Sequence, residues 1–231
     1  GETIGIHLDR TIARWGDRPG LVCRQQGVRL SWRELGEKVD AFAAGLLALG
    51  LKRGDHIALW ATNVPQWVVL QYASASVGIV LVTVNPAYRP FELQYVLKQS
   101  DVKALFLVDQ FKTSNYFAML AEVCPELAGS VPGNLRSGEF PELRTVVALR
   151  GDTPPGMLGW NDFLADGAKV LVADLNEANG AETLAVAKAQ GHGDAIAFVR
   201  CDVAREADVA STVSEAVKRF GRLDIAYLNA G

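Results

Sequence analysis

Gly78-Ile79-Val80-Leu81-Val82-Thr83-Val84-Asn85-Pro86-Ala87-Tyr88 is the stretch that decides the fold. It closes an uncharged run, Trp67 to Val84, that is about long enough for a membrane-spanning helix. Gln71, Ser74, Ser76 and Thr83 interrupt that run and Gly78 punctuates it, while Ile79 to Val84 is a β-branched cluster suited to a strand. The run therefore predicts a buried helix, about Pro65 to Val77, and then a buried strand ending near Val84. Asn85-Pro86 forces a turn, because the ring of Pro86 holds Asn85 out of the helical region.

The same grammar extends both ways. Upstream, Ser31-Trp32-Arg33-Glu34 is a capping box, and Leu35, Val39, Phe42, Leu46 and Leu49 recur at helical spacing before Gly50 supplies a left-handed stop. A short strand at Ile57 to Trp60 follows. Downstream, a helix around Phe91 to Gln99 leads to a strand at Ala104 to Val108. Glu126 to Glu142 is rich in Gly, Pro and Ser and reads as a surface loop before a strand at Thr145 to Leu149. After the breaker cluster Gly151 to Gly156 the alternation restarts. Strands at Ala168 to Ala173, Ile196 to Arg200 and Leu223 to Leu228 enclose helices at Glu177 to Ala189 and Glu206 to Phe220. In the last helix Val209, Val213, Ala216, Val217 and Phe220 share one face, and Gly221 ends it. The predicted class is α/β, two partial doubly wound parallel-sheet units, the second Rossmann-like, divided as 1–165 and 166–231.

Composition narrows the function. With 231 residues, 49% of them hydrophobic, a sizeable core is available, and a net charge of -3 gives no basic excess to attract nucleic acid or an anionic membrane. Small molecules are the expected partners, with no membrane span. Cys23, Cys124 and Cys201 are odd in number and far apart, which suits free thiols in a reducing, cytoplasmic setting. His7, His56 and His192 have no ligand-spaced companions, so no metal site is expected. The start, Gly1-Glu2-Thr3, carries neither an initiator Met nor a signal segment, as a piece of a longer reading frame would.

Arg29 to Leu35 (RLSWREL), Gly45 to Gly54 (GLLALGLKRG), Gly78 to Tyr88, Glu92 to Leu97 (ELQYVL) and Lys103-Ala104-Leu105 stand in one order from about Thr3 to Ala165. In these blocks the chain resembles the amino-terminal part of AMP-forming fatty-acyl-CoA synthetases of the medium-chain kind. The resemblance implies ATP and CoA as cofactors, an acyl-adenylate intermediate and transfer of the acyl group to CoA. That chemistry needs a Ser/Thr/Gly-rich loop ending in Pro-Lys to hold the ATP phosphates, and no such loop occurs in the sequence. Asn85, Pro86 and Tyr88 are accordingly read as a turn at a strand end.

Gly167 to Asn176 (GAKVLVADLN), Cys201-Asp202-Val203, Gly221-Arg222-Leu223-Asp224 and Leu228-Asn229-Ala230-Gly231 carry a second likeness. From about Asp166 to Gly231 the chain resembles the early part of NAD(P)-dependent short-chain dehydrogenases. Asp174 ends a strand, where a carboxylate accepts from both ribose hydroxyls and repels a 2'-phosphate, so the resemblance implies NAD. Asp202 with the Val203 amide matches the pair at the adenine edge. Asn229, Ala230 and Gly231 match the segment that lies along the cofactor. Each has a plainer alternative: a strand-end cap, a solvated turn aspartate and a strand exit, respectively.

The family's first strand and its glycine-rich turn should lie just before Asp166, and its Ser and Tyr-x-x-x-Lys after Gly231. No catalytic residue is therefore assigned, and NAD binding is expected to be weak or vestigial. Thr145 to Leu149, with the glycines that follow, could serve as a surrogate first strand between the strands at Ala168 and Leu223. Three functional readings stay open: a fusion of synthetase and dehydrogenase segments without catalysis of its own, a window on a longer NAD-dependent oxidoreductase, and a ligase-derived binding module. Partial domains expose sheet edges, so self-association is expected.

Overall fold

The structure is a computed structural model that describes residues 2–167, 170–189, 196–220 and 223. It divides into two compact units, Gly1–Gly167 and Ala168–Gly231.

The first unit opens with helix α1 (Ile4–Trp15) and an antiparallel hairpin of β1 (Pro19–Cys23) and β2 (Val28–Ser31). Helix α2 (Trp32–Ala48) starts where the sequence places it. The Ser31 hydroxyl accepts from the Glu34 amide at 3.2 Å, and the Glu34 carboxylate accepts from the Ser31 amide at 2.7 Å. These two bonds satisfy amides that a helix start leaves orphaned. Gly50, at φ 80°, turns the chain out of the helix.

Then follow β3 (His56–Trp60), α3 (Pro65–Ser76), β4 (Val80–Thr83), α4 (Pro90–Gln99) and β5 (Ala104–Leu107). A two-residue pair, β6 (Gln110–Phe111) and β7 (Ser114–Asn115), precedes α5 (Tyr116–Val123), and β8 (Thr145–Ala148), β9 (Leu158–Gly159) and α6 (Trp160–Gly167) complete the unit. Five strands pair in parallel in the order β4-β3-β5-β8-β9. This is a doubly wound order, with its reversal between β3 and β5. Helix α2 packs on α1, α3 and α6, while α4 packs on α5. Every residue of β5 and β8 is buried, which is why their sequences are unbroken apolar runs rather than alternations.

The uncharged run Trp67–Val84 resolves into α3 and β4, as expected, and no described helix is long and apolar enough to cross a membrane. Two expectations need correction. The segment 126–142 is less superficial than its composition suggests, because Leu127, Leu135 and Phe140, with Leu143 just beyond, are buried and pin it to the core. Strand β8 is not a surrogate for a dehydrogenase first strand. Its register with β5 (Ala104↔Thr145 to Leu107↔Ala148) takes one edge and β9 takes the other.

At the amino-terminal end of the sheet the Lys103 ammonium lies 2.7 Å from Asp55 Oδ1, and Asp55 Oδ2 accepts from the Lys52 amide at 2.8 Å. Burial pushes the Asp55 carboxyl up, but the Lys103 ammonium and the Lys52 amide outweigh it and hold the group below its ordinary value near 3.8. A carboxyl depressed in the folded state adds stability above its unfolded value and loses it as pH falls through the lower folded one. Asp55→Asn is thus expected to cost about 1 kcal/mol at neutral pH, as for a partly exposed pair. The difference from wild type in urea midpoint should close below pH about 3.8. A difference independent of pH would refute the assignment.

In the second unit β10 (Val170–Asp174) and β11 (Ile196–Arg200) pair in parallel, from Val170↔Ile196 to Asp174↔Arg200. Helix α7 (Glu177–Ala189) connects them and packs on both, and α8 (Glu206–Phe220) follows β11. Gly180 lets α7 lie on the sheet, since a Cβ there would sit 2.2 Å from the Phe198 ring. On α8 only Ala216 is buried, while Val213 and Val217 remain exposed. Of the expected strand at Leu223 to Leu228 all but residue 223 lies outside the described residues.

Candidate functional site

In a doubly wound sheet, ligands bind outside the carboxyl ends of the strands, where the order reverses. In the first unit an aromatic pair from the two flanking segments occupies that point. The Trp60 and Tyr116 rings stack at 4.0 Å with planes 4° apart, and both residues are buried. Their polar tips are satisfied by the turn after β4, where Trp60 Nε1 donates to the Asn85 carbonyl at 3.2 Å and the Tyr116 hydroxyl to the Pro86 carbonyl at 2.6 Å. Asn85 Oδ1 in turn accepts from the Ala87 amide at 2.9 Å. Burial raises the Tyr116 hydroxyl above its ordinary value, and the Arg150 charge partly offsets the rise. Asn85, Pro86 and Tyr88 form the turn that the sequence predicts; the aromatic pair it anchors was not legible there.

Beside the pair, Arg150 Nε donates to Asp109 Oδ1 at 2.7 Å and its Nη2 to the Gln110 carbonyl at 2.8 Å. This ion pair ties the end of β8 to the end of β5. A Cβ on Gly151 would lie 2.9 Å from Asp109 Cβ, and one on Gly156 would meet the Leu127 carbonyl. These glycines permit close packing of protein on protein, and none frames an open phosphate cradle.

In the second unit, the structure brings two of the predicted residues to one sheet end. Asp174 ends β10 and Asp202 lies just beyond β11; the strands are neighbours, and the Cys201 amide donates to the Asp174 carbonyl at 3.1 Å. Asp174 Oδ1 accepts from the Asn176 amide at 2.7 Å, and Asn176 Oδ1 from the Ala178 amide at 2.9 Å, so Asn176 caps α7. Asp202 Oδ1 accepts from the Ala204 amide at 3.0 Å, and its own amide donates to Asp208 Oδ2 at 3.2 Å. Each carboxylate has one oxygen committed to its turn. Among the described residues the other makes no hydrogen bond. Both aspartates are half-buried and Val203 is exposed. Asn229, Ala230 and Gly231 lie outside the described residues.

Among the described residues no group of three His, Cys, Asp or Glu side chains could hold a metal ion. The three cysteines are free; Cys124 and Cys201 are buried, and Cys23 is half-buried.

Two family models match successive stretches of the chain, the second beginning within α6 of the first unit. A family model described as AMP-binding enzyme matches residues 8–155, and one described as Enoyl-(Acyl carrier protein) reductase matches residues 161–231. The chain is 44% identical over 168 residues to the medium-chain acyl-CoA ligase ACSF2, mitochondrial, of Mus musculus, covering 72% of this chain and 27% of that protein. It is 38% identical to the protein of the same name from Danio rerio, covering 68% and 26%. Among solved structures, acetoacetyl-CoA synthetase from Streptomyces lividans aligns with a TM-score of 0.59 at 28% identity, covering 72% of this chain and 25% of that one. The chain thus spans about a quarter of the length of the curated relatives it matches. Their names place those ligases in mitochondria, and lend no support to a cytoplasmic location here. With well over half of its residues in the first match, the chain belongs to the AMP-binding enzyme family.

Proposed function

We propose that the 231-residue chain joins the scaffold of an acyl-CoA ligase amino-terminal segment, residues 1–165, to a dehydrogenase-type segment, residues 166–231, and that it catalyses neither parent reaction. The observation that carries this is the order of the two family matches, 8–155 and then 161–231. The ligase reaction would call on ATP to form the acyl-adenylate and on CoA to accept the acyl group, as the AMP-binding family match implies. Among the described residues, the glycines after β8 face protein atoms rather than an open cradle, so that loop offers the ATP phosphates no seat. An adenosine fits better in the second unit. There the uncommitted oxygen of Asp174 would accept from the ribose hydroxyls of NAD, and Asp202 with the Val203 amide would meet the adenine edge. Asn229, Ala230 and Gly231, which lie outside the described residues, are assigned to the cofactor by the resemblance alone. NAD supplies hydride chemistry when bound; this chain's own residues only hold and orient its adenosine half.

Calorimetric titration of the chain with NAD and with ATP tests the proposal. NAD is expected to bind with a Kd of about 1 mM or weaker, and Asp174→Ala to abolish the heat. ATP is expected to give none. Tight ATP binding, or release of pyrophosphate in the presence of a medium-chain fatty acid, would overturn it. The same reading expects the chain to self-associate, because partial units leave sheet edges and apolar faces uncovered.

A further inference from the structure

The uncharged run Trp67–Val84 has a further property once folded. Only Val69, Leu70, Ala73, Ser74, Ile79 and Val84 of it are buried, so α3 and β4 present an uncharged surface. Strand β4 is the outer strand of the five-stranded sheet and, among the described residues, pairs with β3 alone. The Val80 amide donates to the Asp55 carbonyl and the Val84 amide to the Leu59 carbonyl, both at 2.9 Å. By alternation, the amides and carbonyls of Leu81 and Thr83 point away from the sheet, and no described residue bonds to them. Within Val80–Thr83 there is no charge, proline or bulge, the devices by which edge strands avoid pairing.

We propose that β4 is a docking edge for a second copy of this chain, paired antiparallel about a two-fold axis at Val82. An unpaired edge with directional donors and acceptors calls for a strand, and its symmetry singles out its own copy. With Leu81 opposite Thr83 of the other copy, the two residues exchange both main-chain bonds, and the symmetric pair repeats them. Every outward group of Leu81 and Thr83 is then satisfied, which a shift of one residue would undo. Val82 meets its own counterpart at the close, non-hydrogen-bonded position, an apolar β-branched pair. The Arg53 side chain lies along Gly78; in this register it faces the Pro86 end of the other copy, so like charges do not meet.

The proposal rests on the self-association expected above and names its surface. Sedimentation equilibrium of the full chain across a concentration series tests it, with Thr83→Pro as the main variant. That change removes an outward amide that makes no bond within the sheet, a position where an edge strand tolerates proline. Association should weaken by about tenfold or more, with the unfolding midpoint little changed. Should Thr83→Pro fail to fold, Thr83→Lys at the exposed Thr83 asks the same question through charge repulsion. Val217→Lys, on the exposed face of α8, should leave association intact. A monomeric wild-type chain overturns both the self-association and the edge. Dimers that survive the Thr83 variants but are lost in Val217→Lys overturn the edge alone.

Discussion

Replacing Phe163 with alanine is expected to destabilise the first unit by about 3–5 kcal/mol, the range for truncating a buried aromatic. Phe163 sits on α6, inside the stretch that matches the reductase-type model, yet it is buried in the ligase-type core. Its ring lies 4.6 Å from Phe42 and 5.6 Å from Phe106. Gly45 on α2 completes the socket, because a Cβ there would come within 2.7 Å of the Phe163 ring. The five tryptophans, Trp15, Trp32, Trp60, Trp67 and Trp160, all lie in the first unit. Their fluorescence therefore follows its unfolding alone. The urea midpoint should fall with the slope unchanged, and Phe163→Leu should recover more than half of the loss. If Phe163→Ala left the tryptophan transition in place, α6 would be shown not to belong to this core.

That residue marks a limit of what the sequence yields. Helices α2, α3, α4, α7 and α8 and strands β3, β4, β5, β8, β10 and β11 were legible because apolar periodicity, caps and breakers are local signals, and Ser31, Glu34 and Gly50 act as the sequence predicts. Helix α1, the β1–β2 hairpin and α5 were not. Helix α5 (YFAMLAEV) is apolar on nearly every side and offers no periodic contrast, so its existence depends on the Asn115 cap, which accepts from the Ala118 amide at 2.9 Å, and on packing. Helix α1 relies on Gly5 meeting Ser76 of α3, a contact between distant residues. The same holds at the sites. Asp174 and Asp202 were singled out by the dehydrogenase-type motifs that carry them, and the structure places them on neighbouring strand ends. The Trp60–Tyr116 stack could not be found in this way, since nothing near either residue announces its partner.

Gly156→Ala tests the packing role that the structure gives a glycine of the loop after β8. Gly156 has φ 82°, and a Cβ added to it would lie 1.8 Å from the Leu127 carbonyl oxygen and 2.8 Å from its carbon. The obstruction is main chain, in a 3-10 turn over Pro125–Gly129 that buried Cys124 and Leu127 hold in place, so neither side can yield cheaply. A left-handed alanine alone costs about 1–2 kcal/mol; with the clash, at least about 3 kcal/mol is expected. Gly133→Ala separates the two contributions, because Gly133 has φ 80° with nothing within 4 Å of its added Cβ. It should show the conformational cost only. A glycine kept for phosphate binding would behave otherwise, losing nucleotide affinity on substitution while the unfolding midpoint moved no further than in Gly133→Ala. Equal midpoints for the two variants would therefore refute the packing role, whereas a lower midpoint for Gly156→Ala confirms that its glycine serves the approach of one backbone to another.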